Sequence, residues 1–206
     1  MNGRPEVSDR PLNEVRSSIL PDDTDNAKAL ATVPADVERA WSRYLDRGWH
    51  PVALYGVADG ACTCRDGGAC ADGGKHPVLS LGGSSYADVD PLTYVEAIER
   101  AVGRTTVLNV GLATGRASGF WVLDIDPAKG GAASIKALEA EHGALAPTRR
   151  VRTGSGGWHL YYAMPLDGSD VRNSQGLVAP GIDVRGTGGY VVAPPSVSTK
   201  GAYSDA

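Results

Sequence analysis

Between Asp59 and Gly83 the chain is dominated by Gly, Asp, Cys and Ser, and this stretch restricts the possible folds more than any other. So long and polar a segment cannot hold itself in a compact domain by burying apolar surface; something else must pin it. All three cysteines fall inside it, as Cys62, Cys64 and Cys70, with His76 close behind. Four thiol and imidazole ligands within fifteen residues, in a loop whose glycines let it fold round an ion, suit tetrahedral Zn²⁺. Four protein ligands leave no position for water, so the zinc expected here is structural. An odd number of crowded cysteines argues against a disulfide framework. The plainer alternative, three unrelated cysteines beside a free histidine, leaves nothing to order the segment.

Around this loop, from 59 to 83, the rest of the 206 residues reads as one main domain. Residues 1–33 mix Asp, Asn, Ser and Pro with few apolar positions and no sustained period, the pattern of a flexible leader. Helical spacing of Val37, Ala40, Trp41, Tyr44 and Leu45 predicts a helix over 34–47, stopped by Gly48. Strands are expected at 49–57, 107–112, 120–126, 149–153, 158–164, 181–185 and 190–193, the last two as a pair. Further helices are expected at 91–102 and 132–142. Strands interleaved with helices, followed by late hairpins, give an α/β or α+β class with a mixed sheet. No apolar run reaches the roughly 18 residues that cross a bilayer, and no secretory signal opens the chain, so a cytoplasmic protein without membrane contact is expected.

Within Phe120-Trp121-Val122-Leu123-Asp124-Ile125-Asp126, the two-residue period of a strand places Asp124 and Asp126 on one face and Leu123 and Ile125 on the other. Neighbouring carboxylates repel unless a cation lies between them, and Mg²⁺ or Mn²⁺ prefers such oxygen ligands. The bland alternative is a pair that faces solvent or caps the next turn.

Gly181-Ile182-Asp183-Val184-Arg185 alternates in the same way, with Asp183 and Arg185 together. These two either form a local ion pair or supply a third carboxylate for the metal cluster and a cation for phosphates. Arg152-Thr153-Gly154-Ser155-Gly156-Gly157-Trp158-His159 reads as strand, glycine turn, strand. Its glycines are needed for a tight hairpin; they also allow backbone amides, Ser155 and His159 to meet phosphate oxygens. Lys75, beside His76, is either a solvated lysine or a group that reaches a triphosphate.

Net charge is −4, an unpromising figure for coating nucleic acid, but its distribution is uneven. Residues 1–103 carry ten Lys and Arg against sixteen Asp and Glu, whereas residues 104–206 carry ten against eight. Arg149, Arg150, Arg152, Arg172 and Arg185 in that second half are candidates for phosphate contact.

Taken in order, LDID, GSGGWH and GIDVRGTGGYVVAPPS resemble the archaeo-eukaryotic primase superfamily, specifically the bifunctional DNA primase/polymerase (prim-pol) N-terminal domain of plasmid and phage replication proteins. The likeness runs from about Ala40 to the end. The family's acidic pair falls on Asp124 and Asp126, its small-x-His motif on Gly157 to His159, and its single acid on Asp183. The resemblance implies a core related to the RNA-recognition motif (RRM-like), joined to a smaller α/β unit, the whole catalytic domain covering 34–206. Implied too is template-directed addition of dNTPs or NTPs to a primer on a DNA template by a two-metal-ion mechanism, with Asp124, Asp126 and Asp183 holding Mg²⁺ or Mn²⁺. Ser155, Gly157, His159, Arg185 and Lys75 would then bind the nucleotide, and a helicase domain or partner would accompany the enzyme. Some relatives carry a zinc-binding insertion, which Cys62, Cys64, Cys70 and His76 resemble. Two rival readings use the same residues: a non-catalytic zinc-containing nucleic-acid-binding module, and a metal-dependent nuclease.

Overall fold

A computed structural model describes residues 34–78 and 107–206. The leader at 1–33 and the helix expected at 91–102 lie outside those residues. Helix α1 (Ala35–Asp46) follows Pro34, carries Asp36 and Glu38 in its first turn and Arg43 in its last, as the helix dipole favours, and buries Val37, Ala40 and Tyr44. Strand β1 (Pro51–Tyr55) then leads into the short hairpin β2 (Val57–Ala58) and β3 (Ala61–Cys62).

Two antiparallel sheets make up the body. The smaller has the order β1-β4-β10, with β4 (Leu108–Ala113) between β1 and β10 (Tyr190–Val192). In the larger, β5 (Phe120–Ile125) lies between β7 (Trp158–Ala163) and β9 (Ile182–Arg185). Flanking these are β6 (Arg149–Arg152) and β13 (Ser204–Asp205) on one side and the edge strand β8 (Ser174–Ala179) on the other. The hairpin β11 (Val197–Ser198) and β12 (Gly201–Ala202) stands apart. The α+β class is as expected, with a larger sheet and a smaller α/β unit. Every named ladder among the described residues is antiparallel, and the parallel contribution is the single bridge Arg172↔Thr187.

One pairing differs from the sequence expectation. Strands 181–185 and 190–193 do not pair with each other: β9 joins β5 in the large sheet and β10 joins β4 in the small one. The intervening Gly186–Gly189 segment is held by Thr114 and Asn173 rather than by a hairpin ladder, with Thr114 Oγ1 donating to the Gly186 carbonyl and Asn173 Oδ1 accepting from the Gly186 amide.

The period-2 alternation of β5 divides the core. Phe120 and Val122 face α1 and the small sheet, in a cluster with Tyr44, Leu54, Leu112, Tyr161 and Val191. Leu123 and Ile125 face the opposite way, with Leu160 and Ile182, beneath Ile135 and Leu138 of helix α2 (Gly131–His142). Leu54, Leu112 and Ile182 are fully buried, each worth about 1.5–3 kcal/mol relative to exposure. Because both faces of β5 are packed, its register is fixed, and the position of Asp124 with it. Among the described residues no helix is long and apolar enough to cross a membrane.

Candidate functional site

Three side chains distant along the chain stand abreast on the large sheet. Asp124 lies directly opposite His159 on β7 and directly opposite Asp183 on β9. Arg185, two residues beyond Asp183 and on the same face, reaches between the acids: its guanidinium lies 3.0 Å from Asp183 Oδ2 and 3.7 Å from Asp124 Oδ2. Carboxylates facing one another across a ladder destabilise it, and this cation offsets the repulsion. Asp183 Oδ1 accepts from the Gly176 amide of β8 at 2.8 Å, so the edge strand orients this acid.

His159 is buried, with Nε2 3.6 Å from Asp124 Oδ1, a contact longer than a hydrogen bond. Burial lowers its pKa; Asp124 opposes the shift, and Arg185 and Lys75 add to it. A neutral imidazole beside an acid is thus the resting arrangement.

Asp126 is placed differently. It lies one residue past β5, and its Oδ1 accepts from the Ala128 amide at 3.0 Å, capping the short 3-10 turn Pro127–Lys129. Oδ2 lies 3.7 Å from Lys129 Nζ. The turn-capping alternative raised by the sequence is therefore part of what Asp126 does, while Asp124 makes no such cap.

The glycine turn sits against the end of β5. A Cβ on Gly157 would lie 2.3 Å from the Ile125 carbonyl oxygen, so this position accepts no side chain. Its amide donates to Thr153 Oγ1 at 2.9 Å, and the Gly156 amide donates to the Thr153 carbonyl. Two of the amides that sequence offers to a phosphate are thus used within the turn. Ser155 is exposed, its hydroxyl 3.2 Å from Thr153 Oγ1.

On the other side, Cys62 on β3, Cys64, Cys70 and His76 bring their ligand atoms within 4.8 Å of one another, with Cys62 Sγ 3.4 Å from His76 Nε2. None of the three thiols is in a disulfide. Burial, together with the Cys64 and Cys62 thiols, pushes Cys70 up to about 11. At Cys64 burial works the same way, but hydrogen bonds from the Asp66 backbone and the other thiols outweigh it and lower the pKa. Three thiols and an imidazole at this separation fit the soft, tetrahedral preference of Zn²⁺. His76 is anchored from behind, its carbonyl accepting from the Tyr55 amide and its ring tilted 4.9 Å from the Tyr55 ring.

A family model, that of the bifunctional DNA primase/polymerase N-terminal domain, matches residues 41–206. The chain belongs to that family. No curated protein matches it. This prim-pol domain is accordingly of the nucleotidyltransferase type that serves DNA replication, with DNA and nucleotides as its substrates.

Not every cation that sequence offered to phosphate is free for it in the prim-pol fold. Arg149 lies 4.5 Å over the Tyr161 ring and 5.2 Å over Trp49, and pairs with Asp205. It is a packing residue between α1 and the large sheet. Arg152 stacks 4.7 Å over Trp158. Arg172 is exposed beside Asp170, whereas Arg185 stands among the acids.

Sequence reasoning missed Tyr203, beside the acidic row, and gave no role to Asn109, whose stretch 109–115 resembles the family. Tyr203 packs 5.8 Å from the His159 ring, and burial and the Asp124 charge push its hydroxyl up to about 12. Asn109 is a buried amide inside an apolar strand. That lone polar residue at an inward position was the available sign, because a buried carboxamide requires partners.

Proposed function

We propose that the face bearing Asp124, Asp126 and Asp183 is the catalytic centre of a template-directed DNA primase/polymerase acting in plasmid or phage DNA replication. The observation that carries this reading is the row His159, Asp124, Asp183, drawn from three strands into direct register within a chain of the prim-pol family. A set of hard carboxylate oxygens fits Mg²⁺ or Mn²⁺; Asp124, Asp126 and Asp183 would hold the ions, which when bound activate a primer 3′-hydroxyl and neutralise charge on the pyrophosphate leaving group. Arg185 supplies a planar cation to triphosphate oxygens from its place between the two acids. Neutral His159, held in a dry setting, orients rather than ionises. Ser155 and Lys75 approach the same ligand from the glycine turn and the zinc loop. Catalysis by these residues is positioning and charge complementarity in a partly buried site. Cys62, Cys64, Cys70 and His76 would hold a structural zinc, and the full replication machinery would include a helicase.

A primed DNA template incubated with Mn²⁺ and labelled dNTPs tests this. Wild-type protein lengthens the primer, and Asp124→Ala abolishes lengthening while leaving the circular dichroism spectrum unchanged. Unchanged primers with wild-type protein would favour a non-catalytic nucleic-acid-binding module, and shortened ones a nuclease; wild-type rates in Asp124→Ala would remove the acid from the mechanism.

A further inference from the structure

Asn109 has no role in the chemistry described above, yet its carboxamide is fully engaged. Nδ2 donates to the carbonyls of Gly74 and Val197, each at 2.7 Å, and Oδ1 accepts from the Val197 amide at 3.1 Å. One buried side chain on β4 thus ties the last turn of the zinc loop to the segment entering β11. Further bonds converge on the same corner: the Thr199 amide donates to the Gly73 carbonyl at 3.1 Å, and Tyr190 Oη donates to the Lys75 carbonyl at 3.3 Å. Gly74 has φ +81°, and a Cβ there would lie 2.6 Å from the Val197 carbonyl oxygen, so the backbone is seated with no space between. The clamped residues immediately precede the zinc ligand His76.

Between clamp and ligand stands Lys75, half-buried. The corner before it abuts the glycine turn: Gly74 seats against Val197 and Ser198, and a Cβ on Gly154 would lie 2.7 Å from Ser198 Oγ and 2.3 Å from the Gly201 carbonyl oxygen. A flexible four-carbon stem loses considerable rotamer entropy when ordered, and a loop free at both ends gives it no fixed origin. The main chain on both sides of Lys75 is fixed instead, by the amide clamp and by the metal ligand.

We propose that Asn109 is a positioning residue that locks the Gly73–Lys75 corner of the zinc loop to the sheet, so that Lys75 is presented to the triphosphate of the incoming nucleotide. The idea rests on the polymerase reading above. Zinc and Asn109 then act on nucleotide affinity from the two ends of one short segment, without touching the nucleotide themselves.

The test compares Asn109→Asp, Tyr190→Phe, Lys75→Ala and the double variant Asn109→Asp/Lys75→Ala in zinc-loaded full chain. Aspartate in place of the amide sets an anionic oxygen against two carbonyls and opens the clamp, whereas Tyr190→Phe removes one hydroxyl only. Single-nucleotide incorporation is measured against dNTP concentration, and zinc release to a chromogenic chelator is followed separately. Asn109→Asp is expected to raise the KM for dNTP about tenfold with kcat within about twofold, the pattern of lost ground-state binding. Tyr190→Phe is expected to raise it about two- to threefold. The double variant is expected to match Lys75→Ala alone, because the clamp acts through that lysine. Zinc release is expected to quicken in Asn109→Asp and to stay at the wild-type rate in Lys75→Ala. An unchanged KM in Asn109→Asp, or additive losses in the double variant, would overturn the proposal. If Asn109→Asp fails to fold, Tyr190→Phe decides, and wild-type KM there overturns it. Failure of the polymerase reading shows itself apart from this, as wild-type protein that leaves the primer unchanged or shortened.

Discussion

The acidic row on the large sheet and the corner that carries Lys75 are positioned by opposite means. Asp124, Asp183 and His159 are placed by backbone register: three strands pair, both faces of β5 are packed, and the side chains come into line because the ladder leaves no other alignment. Among the described residues, the zinc loop and its approach hold the two-residue strands β2 and β3 and the short 3-10 turn at Gly67–Ala69. Its shape comes from a cage of four ligand atoms at one point and the Asn109 clamp at another. Register gives precision that survives loss of any one side chain, whereas a cross-linked loop concentrates its order in a few groups. The contrast also locates adaptability: the acids proposed as catalytic sit on the rigid element, and the lysine proposed to meet the nucleotide sits on the segment that can be loosened.

The largest expected effect that separates the two regions is removal of a zinc ligand. Cys70→Ser is expected to abolish zinc binding and to raise amide hydrogen exchange through residues 57–78 to the level of an open loop, while amides of β5, β7 and β9 keep their protection. Structural zinc in small sites contributes on the order of 10 kcal/mol of binding free energy, so the loop has no substitute for it. Ile182→Ala is the converse: a fully buried side chain beneath the row, whose truncation is expected to cost about 2–5 kcal/mol and to lower protection in the large sheet. Equal loss of protection in both regions in the Cys70 variant would show that the loop and sheet unfold as one unit.

Acid supplies a smaller and sharper effect, confined to the sheet side of the comparison. Burial lowers the pKa of His159 and of His50 below the ordinary imidazole value of 6.5. Each therefore takes up a proton more readily when the chain is unfolded, and the unfolded state gains on the folded one as pH falls through 6.5, until the folded pKa values are passed. Thermal unfolding is expected to show a midpoint that is level above about pH 7 and declines below it, by at most about 1.4 kcal/mol per pH unit for each histidine. His159→Gln is expected to flatten part of that decline; an unaltered profile would mean that the imidazole is not kept neutral by the fold.

Much of the secondary structure was legible because it depends on local periods. The helical spacing from Val37 to Leu45 and the alternation from Phe120 to Ile125 each carry their own face assignment, and α1, β5 and α2 lie within a residue of the expected limits. The cysteine cage was legible because ligand chemistry and loop composition pointed the same way. Pairing was not. Strands 181–185 and 190–193 are separated by a glycine-rich stretch that reads as a hairpin turn, but their partners are β5 and β4, far away in the sequence. The edge strand β8 escaped notice because Gly176 interrupts it and its exposed Leu177 and Val178 follow no inward alternation. The Asp-x-Asp pattern left open whether Asp126 caps the next turn, and the exit geometry of β5, one residue before it, decides that it does. Arg149 shows the same limit from another side: its charge is visible in the sequence, and its seat over the Trp49 and Tyr161 rings is not.

The central claim, that carboxylates brought into register across β5 and β9 share divalent cations beside a triphosphate, is tested most directly by anomalous diffraction from crystals grown with a primed template, a dNTP and Mn²⁺. The expected result is a manganese peak at about 2.1 Å from carboxylate oxygens of both Asp124 and Asp183, with Arg185 turned toward the phosphates and a separate zinc peak among Cys62, Cys64, Cys70 and His76. Manganese bound away from all three acids, with Arg185 still bridging Asp124 and Asp183, would contradict it.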